Sequence, residues 1–126
     1  MTRLVSLVAL GLAACGSSNN KQSDAAKQSD AAAQSVTSVT CPASPAATIT
    51  TADGVNAYSP TTATIQQGQV VKFVMASTHN VAPTPSNSDK GLSIGFGQTG
   101  CLMFTRTGTF DFECTAHGFT GSVTVQ

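Results

Sequence analysis

The sequence predicts an all-β protein, a Greek-key β-sandwich behind a disordered N-terminal tether. Three observations predict it. Thr, Ser, Val and Gly are plentiful, Trp is absent and aromatics make up 6%, a mixture that suits short strands and turns better than helices. Short blocks of alternating polarity, roughly six to eight of them, recur between turn signals at the spacing of a sandwich. No segment with a helical period competes with them. The 126 residues have room for one domain, and the 10% that are charged, six of each sign, exclude a basic nucleic-acid surface and an acidic tail.

The chain opens on Met1-Thr2-Arg3, a short positive start, followed by an apolar run over residues 4–14. That run is too short to cross a hydrocarbon core of ~30 Å at 1.5 Å per residue, and it has the length of the central region of a secretory signal peptide. It ends Leu12-Ala13-Ala14-Cys15-Gly16, which resembles a bacterial lipoprotein box. The resemblance implies that residues 1–14 are removed and that Cys15 becomes a lipidated first residue. The protein is then held on a membrane of the bacterial cell envelope, facing the periplasm or the exterior. The alternative is ordinary export with cleavage after a small residue and a free Cys15. Residues 15–35 continue as a linker containing Lys21-Gln22-Ser23-Asp24-Ala25-Ala26 and its repeat Lys27-Gln28-Ser29-Asp30-Ala31-Ala32. Its apolar residues are no larger than Ala, so burial cannot offset the entropy of ordering. The expectation is a flexible tether with a root-mean-square reach of roughly 25 Å.

From Val36 the pattern changes, and residues 36–126 are expected to form the folded domain. Ala47-Thr48-Ile49-Thr50-Thr51 and Thr62-Ala63-Thr64-Ile65-Gln66 read as strands, separated by the Asp53-Gly54 and Ser59-Pro60 turn signals. Residues 69–75 alternate, with Val71, Phe73 and Met75 on one face and Lys72 on the other. Leu102-Met103-Phe104-Thr105 leads through Arg106-Thr107-Gly108 into residues 109–114, where Phe110, Phe112 and Cys114 share the inward face and Asp111 and Glu113 face water. Ser122-Val123-Thr124-Val125 closes the fold.

Two histidines are present, His79 and His117. His79 follows the strand that ends at Met75, and His117 lies on the turn beyond Cys114. One thiolate with two imidazoles is the donor set of a trigonal copper site, because it suits both Cu(I) and Cu(II) and losing an electron needs little rearrangement. The four cysteines include no C-x-x-C pair and do not read as a zinc site.

Longer stretches around these residues are similar to plastocyanins and amicyanins, of the cupredoxin family. Asn56-Ala57-Tyr58-Ser59-Pro60 through Ile65-Gln66-Gln67-Gly68-Gln69-Val70-Val71-Lys72-Phe73 resembles their core strand pair, and His79-Asn80-Val81 their first ligand segment. Gly108-Thr109-Phe110-Asp111-Phe112-Glu113-Cys114-Thr115-Ala116-His117 resembles their ligand loop, and Gly121-Ser122-Val123-Thr124-Val125 their last strand. The resemblance implies a cupredoxin-like fold and one type 1 copper ion held by His79, Cys114 and His117. It also implies a hydrogen bond from Asn80 to the Cys114–Thr115 region that ties the two ligand loops together.

In amicyanin-like loops the second His is followed by Pro, an aromatic residue and an axial Met. Here the loop reads His117-Gly118-Phe119-Thr120-Gly121. Counting forward from His117 puts Thr120 in the Met position; counting back from Gly121 puts Phe119 there. Met75 and Met103 are expected in the core rather than at the metal. The expected centre has three strong ligands and a weak or absent fourth, for which a carbonyl near Thr78 or a water is the alternative. Such a centre favours Cu(I) and a reduction potential above that of a Met-ligated relative.

With Cys15 lipidated and Cys114 on copper, Cys41 and Cys101 are left as a pair in a compartment that favours oxidation. Closing that 60-residue loop is worth ~4 kcal/mol in the chain-entropy model. Two unrelated free thiols are the competing reading.

The expected function is shuttling of one electron outside the cytoplasm by a monomer. Uncharged Ala82-Pro83-Thr84-Pro85 and Gly118-Phe119 suggest a neutral patch near His117 for transient docking of redox partner proteins. The alternative is a copper carrier, storage or sensing module, against which the three Met and two His weigh. An enzyme is not expected, because a Cys114–His117 dyad lacks an evident orienting Asp or Asn and an oxyanion site.

Overall fold

The alternation expected of the strands is what assembles the domain: segments 62–65, 70–74, 108–113 and 120–125 bury every second side chain, and two sheets close over them. The computed structural model describes residues 34–126 apart from residue 88, so the expected signal peptide, Cys15 and nearly all of the linker lie outside the described residues. The strands are β1 (Val36–Val39), β2 (Ala47–Ala52), β3 (Val55–Ser59), β4 (Thr62–Ile65), β5 (Val70–Val74), β6 (Ala82–Pro83), β7 (Thr99–Phe104), β8 (Gly108–Glu113) and β9 (Thr120–Val125). Among the described residues there is no α-helix. One sheet has the order β1-β7-β5-β2-β3 and the other β4-β9-β8-β6. Pairing is antiparallel except for β2 with β5 and β4 with β9. Every connection from β3 through β8 crosses between the sheets, giving the Greek-key sandwich that the sequence predicts.

Ile49, Val71, Phe73, Leu102 and Phe104 of the first sheet meet Ala63, Ile65, Phe110, Phe112, Val123 and Val125 of the second. The Phe73 and Phe112 rings lie 5.5 Å apart at 87°, and Phe104 and Phe110 lie 5.3 Å apart at 68°, edge-to-face arrangements that add to simple area burial. Strand direction sets the ends of the molecule. β5 runs into the segment carrying His79, and β8 runs into Cys114, while Ala82 pairs with Glu113. Both candidate ligand segments therefore sit at one end of the sandwich.

Several expectations need correction. β1 was not foreseen: Val36-Thr37-Ser38-Val39 is an edge strand that buries Val36 alone and offers little period to read. It pairs with β7, and Ser35, the last residue of the expected linker, is buried. Ser35 donates from its N–H and Oγ to Asp89 at 2.8 and 2.7 Å, and its carbonyl accepts from Thr105. Residues 56–59 continue as strand up to the Ser59–Pro60 bond, with Tyr58 turned inward. Met75 is buried in the core as expected, but Met103 is half-buried on the outer face of β7, because Leu102 and Phe104 hold the inward positions.

Cys101 shares that outer face and is covered by a disulfide to Cys41, with Cα atoms 5.1 Å apart. Cys41 follows β1, and Cys101 lies within β7. The bridge therefore fastens the edge strand to the sheet just past the Val39–Cys101 register position.

Candidate metal centre

Cys114 follows the last residue of β8 on the inward parity of Phe110 and Phe112, and its side chain is fully buried. The chain then reverses in one tight turn. Gly118 N–H donates to the Cys114 carbonyl at 2.8 Å, and Cys114 N–H donates to the Phe119 carbonyl at 3.0 Å. Gly118 has φ +73°, a left-handed conformation that costs glycine nothing and most residues a steric penalty. This reversal returns His117 over the strand end, where its Nδ1 lies 3.6 Å from Cys114 Sγ.

The segment with His79 is held from several sides. Ala76 N–H donates to Thr51 Oγ1, and Ser77 and Thr78 hydroxyls donate to Asp53. Gly97 N–H donates to the carbonyls of Ala76 and His79, and Val81 forms a bridge with Ile94. His79 is 1% exposed, and its ring lies 5.0 Å from that of His117 at 80°. Its Nδ1 is the one buried side-chain nitrogen or oxygen among the described residues that has no hydrogen-bond partner. Leaving such an atom unmet costs about 1–3 kcal/mol, which a bound ion would relieve.

Asn80 links the two segments: its Oδ1 accepts from Thr115 N–H at 2.9 Å and Thr115 Oγ1 at 3.2 Å. This is the connection that the family resemblance implies. The two candidates for the fourth position part company. Phe119 packs edge-on against His79 with centroids 5.0 Å apart and stacks on His117 at 6.3 Å and 22°. Thr120 points away: it opens β9 opposite Glu113, is exposed, and lines an outer cavity of about 300 Å³ with Asp111 and Ser122.

The chemistry of the donor set fits a soft or borderline metal. A nitrogen at ~2.0 Å and a sulfur at ~2.3 Å from one ion, about 120° apart, lie roughly 3.7 Å from each other, close to the Cys114–His117 separation. Among the described residues, no three His, Cys, Asp or Glu side chains are already closed into a cation site. The arrangement is a thiol–imidazole pair with a second imidazole, its Nδ1 unpartnered, beside it. Cys114 is the free cysteine of the described residues.

Two side chains at this end were not singled out by the sequence for this role. Tyr58 donates its hydroxyl to the Asn80 carbonyl at 2.6 Å; as the single tyrosine of the chain, with a hydroxyl that burial obliges to find an acceptor, it was open to notice. Phe96, 50% exposed, precedes the Gly97 that bonds the His79 carbonyl, and no periodic signal marks it.

No protein-family model matches the chain. Solved structures do resemble it. Amicyanin from Paracoccus versutus (Thiobacillus versutus) is 23% identical, over 74% of this chain and 99% of that one, with a TM-score of 0.58. An oxidized methionine-to-leucine mutant of amicyanin is 24% identical over 74% of this chain and 100% of that one, with a TM-score of 0.59. A reduced Cu(I) form of a proline-to-glycine mutant of amicyanin is 23% identical over the same shares, with a TM-score of 0.58. The domain has the cupredoxin-like fold of these proteins.

Proposed function

We propose that this chain is a type 1 copper electron-transfer protein of the bacterial cell envelope, working outside the cytoplasm and anchored through lipid on Cys15. One observation carries the copper reading: Cys114 Sγ stands 3.6 Å from His117 Nδ1 beside a buried His79 Nδ1 that no protein group satisfies. The fold supports it, since a structure of that fold is a Cu(I) form.

Copper held by His79, Cys114 and His117 supplies one reversibly transferred electron. The residues around it do the rest. Asn80 pins the two ligand segments to each other, which keeps the donors in place as charge changes. Phe119 covers the ligand side chains with an apolar ring and keeps water off them. His117 is exposed, so its ring leads from the donor cluster to the surface. Redox partner proteins dock there transiently, on the uncharged surface that includes Pro85, Phe119 and Phe96. No thioether reaches the centre in this reading, because Met75 lies in the core and Met103 on the far face of β7. Cu(I) is therefore favoured, and the reduction potential lies above that of a Met-ligated relative.

Titration of the purified protein with Cu(II) tests this. An intense visible thiolate-to-copper band is expected, absent in Cys114→Ser. No such band in the unmodified protein refutes the reading, and slow or irreversible reduction turns it towards carriage or storage. A potential well below Met-ligated relatives refutes the assignment of the fourth position.

A further inference from the structure

Resting on that copper reading, we infer that Tyr58 is a positioning residue of the centre: its ring holds Phe119 over the ligand side chains, and its hydroxyl holds the segment that carries His79. Tyr58 is the fourth residue of β3 and points inward, 2% exposed. Its ring meets Phe119 at 4.7 Å and 60°, and is itself backed by Phe112 at 4.8 Å and 75°. Phe119 in turn contacts both imidazoles. Phe119 is only half-buried, and the two backbone hydrogen bonds of its turn, Gly118 N–H to the Cys114 carbonyl and Cys114 N–H to the Phe119 carbonyl, leave its ring unheld. What fixes the direction of its ring is the wall that Tyr58 makes.

The second arm is polar. The Tyr58 hydroxyl donates to the Asn80 carbonyl, and the Asn80 side chain accepts from Thr115 N–H and Oγ1. Tyr58, Asn80 and Thr115 thus form a chain from β3 through the segment after His79 to the residue after Cys114. One side chain touches both the aromatic cover and the polar tie between ligand segments. Phenylalanine at this position keeps the first arm and cuts the second; leucine cuts both.

The experiment uses Tyr58→Phe, Tyr58→Leu and Phe119→Leu. Azide is titrated into the Cu(II)-loaded proteins while the thiolate-to-copper band and the EPR spectrum are followed. Amide exchange at Thr115 is measured on the metal-free proteins. Tyr58→Leu and Phe119→Leu are expected to admit azide about tenfold more tightly than the unmodified protein, the scale of effects from groups behind a ligand shell. Combining Tyr58→Leu with Phe119→Leu adds little to either single change, because the two residues act as one unit. Tyr58→Phe is expected to exclude azide but to exchange the Thr115 amide about tenfold faster. A Tyr58→Leu protein that still excludes azide, or a Tyr58→Phe protein with unchanged exchange at Thr115, overturns the inference. Should Tyr58→Leu fail to fold, the exchange measurement on Tyr58→Phe decides. An unmodified protein with no thiolate-to-copper band overturns the copper reading and this role with it, whereas a normal band with unresponsive variants overturns the role of Tyr58 alone.

Discussion

The phenol of Tyr58 is held neutral by its surroundings: burial first, then the negative charges of Cys114 and Glu113, raise its pKa above the ordinary tyrosine value. A raised folded-state pKa means that the stability tied to this group is fully present below the unfolded value of about 10 and is lost as pH rises through the folded value. Denaturant unfolding as a function of pH is expected to show stability falling above about pH 10, with a flatter alkaline limb in Tyr58→Phe. An unchanged limb in that variant contradicts the assignment. His79, Cys114 and His117 were legible as candidates because the chain offers so few soft donors. The choice between Phe119 and Thr120 was not, since it turned on where a one-residue gap falls in an alignment. Strand parity sets the two apart: Thr120 shares the outer face with Ser122, whereas Phe119 packs against both imidazoles.

At the scale of elements, β8 was readable because Phe110 and Phe112 alternate with polar residues, and β5 because Val71 and Phe73 flank the lone charge of Lys72 at every second position. Phe110, Phe112 and Cys114 do face inward, as do Val71 and Phe73. β1 was not readable, because its place depends on partners far along the chain: Leu102, Phe104 and the Ser35–Asp89 and Ser35–Thr105 hydrogen bonds. The Cys41–Cys101 bridge secures the same strand across a sequence separation of 60. Replacing both cysteines with serine is expected to cost ~4 kcal/mol, the loop-closure entropy returned to the unfolded chain. Chemical denaturation checks it, and a loss well under 1 kcal/mol refutes it. The effect should exceed that of most surface changes, which lie within about 0.5 kcal/mol.

At the scale of the whole molecule, the described residues begin at the end of the sandwich opposite the candidate ligand segments, where Ser35 meets Thr105 at the close of β7. Mass spectrometry of membrane-extracted protein is expected to show an acylated Cys15 at the mature N-terminus; a soluble form starting elsewhere refutes the anchor. The sequence by itself determined the sandwich class, the inward faces of its long strands and the short list of soft donors, because period and composition are local properties of the chain. Which imidazole is left unsatisfied, which residue of the turn covers the donors, and that Tyr58 reaches both ligand segments were decided by tertiary structure alone. These are relations between residues 22 to 61 positions apart, and only the closing of two sheets brings them within contact distance.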